Sequence, residues 1–243
     1  MAIEIRGPSE SEWTEVDLSE TDTDENDEWA VNGTVVYRSQ QIIEDWESYS
    51  STSDVEQFWS TEGSGSFSLE SGGLVDGSTQ HIRQQGMHQM RSFPSGGNHS
   101  QTLGRYFEEG DEVEIPIWMA AVGGPHYNIL ANLASDTAEE NTENWRFEIQ
   151  TGSGLRIVWH DGNSRDVRAS ENSSSPYSTS EVYRLRIGVS SSQVTFAMDE
   201  ADGTTIANIS TSNVSGSEVA SEMSIGQIAR GGGDWEVDTW SVL

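Results

Sequence analysis

The sequence predicts an all-β protein of antiparallel strands, arranged as a sandwich or barrel and preceded by an acidic arm. Three observations predict it. From about residue 34 apolar residues recur with period two, Gly, Asp and Asn turn signals break that pattern at short intervals, and no amphipathic helix is legible anywhere.

The arm comes first. Residues 1–30 hold eleven acidic residues and one Arg, with "SETDTDENDEW" at their centre. A run of like charge repels itself and stays extended unless something docks it. Asp22, Asp24 and Asn26 have the spacing of a calcium loop, but Asp27 stands where such a loop needs Gly and Gly33 where it needs Glu, so calcium is not expected there. Trp13, Val16, Leu18 and Trp29 are apolar anchors that a free tail does not need. The expectation is an arm over residues 1–40 that docks on a neighbour or drives oligomerisation, followed by one domain over 41–243.

Within that domain, "NWRFEIQ" places Trp145, Phe147 and Ile149 on one face and Arg146, Glu148 and Gln150 on the other. "TGSG" turns the chain into "GLRIVWH", where Leu155, Ile157 and Trp159 share a face, and Asp161–Gly162 turns it again. "VYRLRIGV" points Tyr183, Leu185, Ile187 and Val189 inward. A serine turn leads to "VTFAMD" with Val194, Phe196 and Met198, and Asp202–Gly203 makes the next hairpin into "TTIANI". "IPIWMAAVGG" is a buried strand, since it is short and carries Pro116.

The order of these pieces resembles the concanavalin A-like lectin/glucanase jelly roll, laminin G-like members included. It runs from "DWES" near Asp45, through a Gly/Ser-rich ramp at 63–73, to the strand at 112–122 and the hairpins at 145–160. "EVYRLRIGVSSSQVTFAMDEADGTTI" resembles that fold's strand, turn, strand, Asp-Gly, strand unit. "SIGQIARGGGDWEVDTWSVL" resembles its closing strand pair. The resemblance covers residues 41–243 and implies an antiparallel β-sandwich of jelly-roll type.

Composition limits the function. Against 41 acidic residues stand 12 basic ones, all Arg, for a net charge of −29. Such a chain is no phosphate-backbone binder, and nucleic acid is not an expected partner. Its self-repulsion destabilises the compact state in dilute salt and is screened in molar salt, a composition that looks halophilic. Cysteine is absent, which removes disulfides and thiolate metal sites. No apolar run approaches a membrane span, and no signal peptide is visible, so synthesis in the cytoplasm without membrane insertion is expected. The five N-x-[ST] sequons, at Asn32, Asn98, Asn172, Asn208 and Asn213, fall in a chain so rich in Ser and Thr that chance explains most of them.

Glycosidases of the resembled fold use two carboxylates on one strand face, as E-x-D-x-x-E or E-x-D-x-E. Glu236 and Asp238 supply only the first half, since Trp240 and Ser241 stand where the closing Glu belongs. Glu112 and Glu114 are followed on their face by Pro116 and Trp118. Both pairs read as strand residues, Glu236 and Asp238 at a strand edge, and neither catalysis nor a cofactor or metal is expected. The five histidines form no H-x-x-x-H pattern, and no glycine run is followed by Lys-[ST].

The outward residues opposite the apolar stripes are Arg146, Arg156, His160, Arg184 and Arg186. The sequence suggests a cationic face on three neighbouring strands, with Arg156, His160, Arg184 and Arg186 as the binding set for a sulfated or uronate-bearing glycan or an acidic partner, because the guanidinium fork matches carboxylate and sulfate. The competing reading pairs those arginines internally with carboxylates such as Glu148. Trp118, Trp145 and Trp159 stack on sugars only if they line a groove. The expected protein is a non-enzymatic virion component (turret, spike or tail fibre) of a haloarchaeal tailed virus. It forms a homo-oligomer, trimer or pentamer, on the virion surface, with the arm on other virion proteins and the jelly roll towards host surface glycans. The alternatives are a cellular carbohydrate-binding module or remote glycosidase, and a purely architectural capsid or tail subunit.

If the charge governs stability, the melting temperature rises substantially between about 0.1 M and about 3 M salt, read by circular dichroism. A flat profile removes the halophilic reading.

Overall fold

Why the strands form where they do follows from the alternation itself, and the computed structural model shows how they pair. It describes residues 42–75, 77–86, 88–92, 106–119, 126–133, 142–150, 154–171, 178–229 and 234–243, together with the backbone of 2–5, 14–17, 28–31 and 34–38. The chain divides into two units, Met1–Gln41 and Ile42–Leu243.

In the first unit, β1 (Ala2–Ile5) pairs antiparallel with β2 (Thr14–Asp17), and β3 (Glu28–Val31) with β4 (Thr34–Arg38). Val16 lies opposite Ile3 and Trp29 opposite Tyr37. Trp13 and Leu18 lie outside the described residues.

The second unit begins with β5 (Ile42–Glu44), a single helical turn α1 (Thr52–Val55), β6 (Trp59–Gly63), β7 (Ser66–Ser71), β8 (Gln80–Gln85), β9 (His88–Ser92) and β10 (Tyr106–Glu108). It continues with β11 (Glu112–Met119), β12 (His126–Asn132), β13 (Glu143–Gln150), β14 (Gly154–Asp161) and β15 (Arg165–Ser170). Then come β16 (Val182–Val189), β17 (Val194–Glu200), β18 (Thr205–Thr211), β19 (Glu222–Ala229), β20 (Asp234–Val237) and β21 (Trp240–Val242). Sheet I has the order β15-β14-β13-β12-β19-β9-β6, with β10 also on β19. Sheet II has the order β18-β17-β16-β11-β20-β8-β7, with β21 joining β11 and β5.

Every pairing is antiparallel, and the inward faces are those the alternation predicts. From sheet I, Trp145, Phe147, Ile149, Leu155, Ile157 and Trp159 are buried; from sheet II, so are Tyr183, Leu185, Ile187, Val189, Val194, Phe196 and Met198. The layers meet edge to face at Phe147 and Phe196, 5.5 Å between ring centroids. The predicted Asp-Gly turns close β14–β15 and β17–β18, with Gly162 at φ +86° and Gly203 at φ +87°, a backbone conformation that residues with a side chain rarely adopt.

The partition of the late strands corrects one expectation. β19 and β20 were expected to close the fold as a pair, yet β19 lies between β12 and β9 in sheet I and β20 between β11 and β8 in sheet II. Glu236 accordingly sits on an inner strand, not a strand edge.

A buried polar cluster holds the seam where the ends of this unit meet. Glu44 accepts hydrogen bonds from the Trp46 amide (3.1 Å), Tyr49 Oη (2.9 Å) and Trp59 Nε1 (2.8 Å). Asp238, wholly buried, accepts from the Leu74 amide (2.6 Å), Ser78 Oγ (2.7 Å) and the Thr239 amide (2.7 Å), while its carbonyl takes the Trp46 indole N–H (3.1 Å). Trp46 occupies φ +62°, a costly conformation for a bulky residue, maintained by these bonds and by its ring contacts with Tyr49 and Trp59. Asp238 is therefore a buried structural acceptor and not the strand-edge residue the sequence suggested. Glu44→Ala or Asp238→Ala strips an acceptor from several buried donors, and each is expected to cost about 3 kcal/mol or more. The exposed Glu56→Gln stays within about 0.5 kcal/mol. Urea melts in molar salt check the ranking, and equal midpoints for all three variants refute it.

Candidate functional site

The outer face of sheet I carries the densest set of polar side chains that point away from the core. Strand alternation puts Asn144, Arg146 and Glu148 of β13 on that face, together with Arg156, Val158 and His160 of β14 and Asn128 of β12. Registers bring them together, with Asn128 opposite Glu148, Glu148 opposite Arg156, Asn144 opposite His160 and His160 opposite Arg165.

The face grades from buried to open. Asn128, Asn144, Arg146 and Glu148 are buried, Arg156 and His160 are half-buried, and Arg165 is exposed. Glu148 is gripped by Arg165, through Nη2 and through Nε at 3.3 Å, and accepts from Gln150 Nε2 at 3.1 Å. Burial pushes the Arg146 guanidinium down from its ordinary value, Glu148 works against that shift, and Arg165 adds to it. Asn128 Oδ1 is buried without a hydrogen-bond donor. His160 Nδ1 accepts the Gly162 amide at 3.1 Å, an arrangement that assigns the ring proton of the neutral form to Nε2. Arg156 has no ion-pair or hydrogen-bond partner among the described residues.

Arg184 and Arg186 are elsewhere. They project from β16 on the outer face of sheet II, so the single cationic face over three neighbouring strands does not exist. Both are spent internally. Arg184 Nη1 meets Glu114 at 3.2 Å, while Arg186 meets Glu112 at 2.7 Å and grips Asp199 through Nε and Nη2. Further across the sheet, Arg83 binds Asp234 through two nitrogens and lies 3.8 Å from Glu236, whose other oxygen is 3.4 Å from His81 Nε2. Of the tryptophans proposed for stacking, Trp145 and Trp159 belong to the core and contact each other, whereas Trp118 points outward and is half-buried.

Sequence reasoning missed Asn128 and Arg165. Asn128 lies on a strand whose alternation is broken by the outward but buried Leu130. Arg165 opens the strand after the Asp-Gly turn, and only the register shift between Ile157 and Val158 fixes which way β15 faces.

Sequence comparison is silent here, since no family model and no curated protein matches the chain. Structure comparison is informative. The VIP36 exoplasmic/lumenal domain, solved in a Ca²⁺/Man3GlcNAc-bound form, superposes with a TM-score of 0.52 at 9% identity, over 76% of this chain and 83% of that one. The chain has the concanavalin A-like jelly-roll fold. Weaker likenesses include the carbohydrate-binding module CBM66 from Bacillus subtilis (TM-score 0.46, 12% identity, 74% and 91% covered). Another is a GlcNAcα1-4Gal-releasing endo-β-galactosidase from Clostridium perfringens (TM-score 0.46, 14% identity, 77% and 58% covered).

The ion pairs on the outer face of sheet II set an acid limit. The hydrogen bond from Arg83 holds the Asp234 carboxyl below its ordinary value of 3.8. Burial raises Asp199, but the Arg186 bonds and charge outweigh it and leave it lowered too. A carboxylate depressed in the folded state stabilises fully above its unfolded value and loses that contribution as pH falls through the folded one. Between pH 7 and about 4 this contribution is fully present and the melting temperature does not vary through these two groups, and below about 4 the contribution is lost and the melting temperature falls. Arg83→Gln and Arg186→Gln are expected to lower the melting temperature at neutral pH and flatten the decline below about 4. Parallel acid profiles for variants and wild type contradict this account. Asp161, held to about 2 first by the Ser164 and Asn163 amides, is expected to titrate last among the exposed carboxylates in a two-dimensional NMR series.

Proposed function

We propose that the chain is a non-enzymatic binding module that takes an acidic glycan on the outer face of β13, β14 and β15. We place it on the surface of a virus particle of a halophilic archaeon, as an oligomer docked through its acidic N-terminal unit. The observation that carries the binding reading is Arg156, a half-buried guanidinium with no partner among the described residues. It stands beside Arg165, which Glu148 neutralises, in a chain of net charge −29. A cation left uncompensated in so acidic a molecule suits an anionic partner. That VIP36 was solved with a mannose-containing glycan shows the same fold presenting a sugar site.

Binding is favoured over hydrolysis by what the carboxylates do. Glycoside hydrolysis needs two carboxyl groups facing one bond. On this face Glu148 is the one described carboxylate, and Arg165 and Gln150 hold it. Glu236 lies on the outer face of the other sheet, 3.8 Å from Arg83 and 3.4 Å from His81, and Asp238 is buried as an acceptor. The virion placement is supported by the acidic composition and by a separate N-terminal unit of two hairpins.

Arg156→Ser is expected to weaken attachment to host cells or to acidic glycans roughly ten-fold or more at working salinity, since a charged hydrogen bond contributes about 1.5–3 kcal/mol. Arg184→Ser and Arg186→Ser lower stability and leave attachment unchanged. Wild-type attachment by the Arg156 variant, or release of reducing sugar by the wild type, overturns the proposal. Failure of the protein to co-sediment with purified particles overturns the virion placement alone.

A further inference from the structure

The polar groups of this face run along β14 instead of converging on one point. Arg156 and His160 share its outer side four residues apart, which at the rise of a strand separates them by about 13 Å. Between them Val158 is fully buried. Over it passes the side chain of Arg165, which is rooted opposite His160 and reaches Glu148, the residue opposite Arg156. The row is thus made of donors from end to end: the Arg156 guanidinium, without a partner among the described residues, the Arg165 guanidinium, and the Nε2–H that the Gly162 bond leaves on His160. A single acidic sugar spans only one end of such a row.

We infer that the ligand is a linear polyanionic glycan, a chain of sugars with a carboxylate or sulfate repeated along it, which lies along β14 with one acid group at Arg156 and a second towards His160. This rests on the acidic-glycan reading above and adds its length, direction and repeated charge. Arg156 supplies the bidentate fork that a carboxylate or sulfate fits. His160 supplies the Nε2–H donor at the far end, its Nδ1 being taken by the Gly162 amide. Arg165, already neutralised by Glu148, keeps the two ends apart and presents its remaining N–H groups to hydroxyls between them.

The test is calorimetry on the full chain in molar salt with the monomer, dimer, trimer and hexamer of galacturonic acid. Neutral galactose oligomers of the same lengths and a sulfated galactan series run beside them. The expected result is weak binding of the acidic monomer, a rise of roughly ten- to hundred-fold by the trimer, and little further gain at the hexamer. In Arg156→Ser and in His160→Ala the trimer is expected to fall to the monomer's affinity, with melting temperatures within those of exposed substitutions. The sulfated and uronate series distinguish which acid the Arg156 end takes, and a length step in either supports the inference. Equal affinity for acidic monomer and trimer overturns the inference while the acidic-glycan reading stands. No binding in any acidic series, or equal binding of neutral and acidic oligomers, overturns both.

Discussion

Burying a carboxylate costs several kcal/mol unless donors replace its water, and Glu44 and Asp238 are the most deeply buried acids of the described chain. Their donors come from segments remote in sequence. Glu44 gathers Trp46, Tyr49 and Trp59, and Asp238 gathers Leu74 and Ser78 while its carbonyl takes the Trp46 indole. The dependence reaches further than the cluster. In sheet II the only strand shared by β11 and β8 is β20, which immediately precedes Asp238. If the last ten residues do not seat, sheet II divides into β18-β17-β16-β11 and β8-β7, and β5 loses its partner β21. The fold is therefore completed from its C-terminus, by pairings between residues about as far apart as this unit allows, and topologies of that kind fold slowly.

What the sequence made legible is what a local pattern can encode. Alternation names the inward side of β13, β14, β16 and β17 residue by residue, because period two on a half-buried sheet leaves no other assignment. The Asp-Gly turns mark two hairpins because only a few residue pairs accept their backbone. Illegible was the allocation of strands to layers. β14 and β16 both alternate, are separated by one strand and a short connection, and lie in opposite sheets, so Arg156 and Arg184 share a pattern and face away from each other. Asp238 was misjudged for a related reason. In a chain with 41 acidic residues no local pattern singles out the buried ones, and nothing local announces that Leu74 and Ser78 arrive as donors. The N-terminal anchors could be placed only in part, since Val16 and Trp29 lie in paired strands while Trp13 and Leu18 are outside the described residues.

The two outer faces use the same scarce residue in opposite ways. On sheet II, Arg83, Arg184 and Arg186 cross strands to Asp234, Glu114, Glu112 and Asp199, so each guanidinium offsets repulsion between carboxylates on neighbouring strands. Partly exposed pairs of this kind contribute little singly, but they let a strongly acidic sheet pair at all. On sheet I the balance is left incomplete. Arg165 satisfies Glu148, Arg146 is held out of water, and Arg156 has no partner among the described residues. In a chain with twelve arginines and no lysine, a half-buried arginine unmatched among the described residues departs from the economy of the other face, and such departures from internal consistency concentrate at functional sites.

Salt decides how such a site can work. At molar ionic strength the Debye length shrinks to roughly 3 Å, so the −29 charge neither repels an acidic glycan from afar nor allows the arginines to steer it in. Long-range attraction is removed together with long-range repulsion, and only groups in contact, shielded from the electrolyte, still discriminate. That favours a guanidinium set into the sheet over one at the end of a flexible surface side chain. Arg156 is half-buried beside the buried Glu148 and Arg146, where the protein and not the solvent sets the local dielectric. It also favours several contacts over one, because each is weakened by competing ions and only their sum along β14 recovers a useful affinity. A hyperacidic protein that binds an acid in brine is therefore not a contradiction. On the proposed reading, the salt that screens the protein's own charge also confines recognition to close contact, which suits the half-buried Arg156 on the outer face of β14.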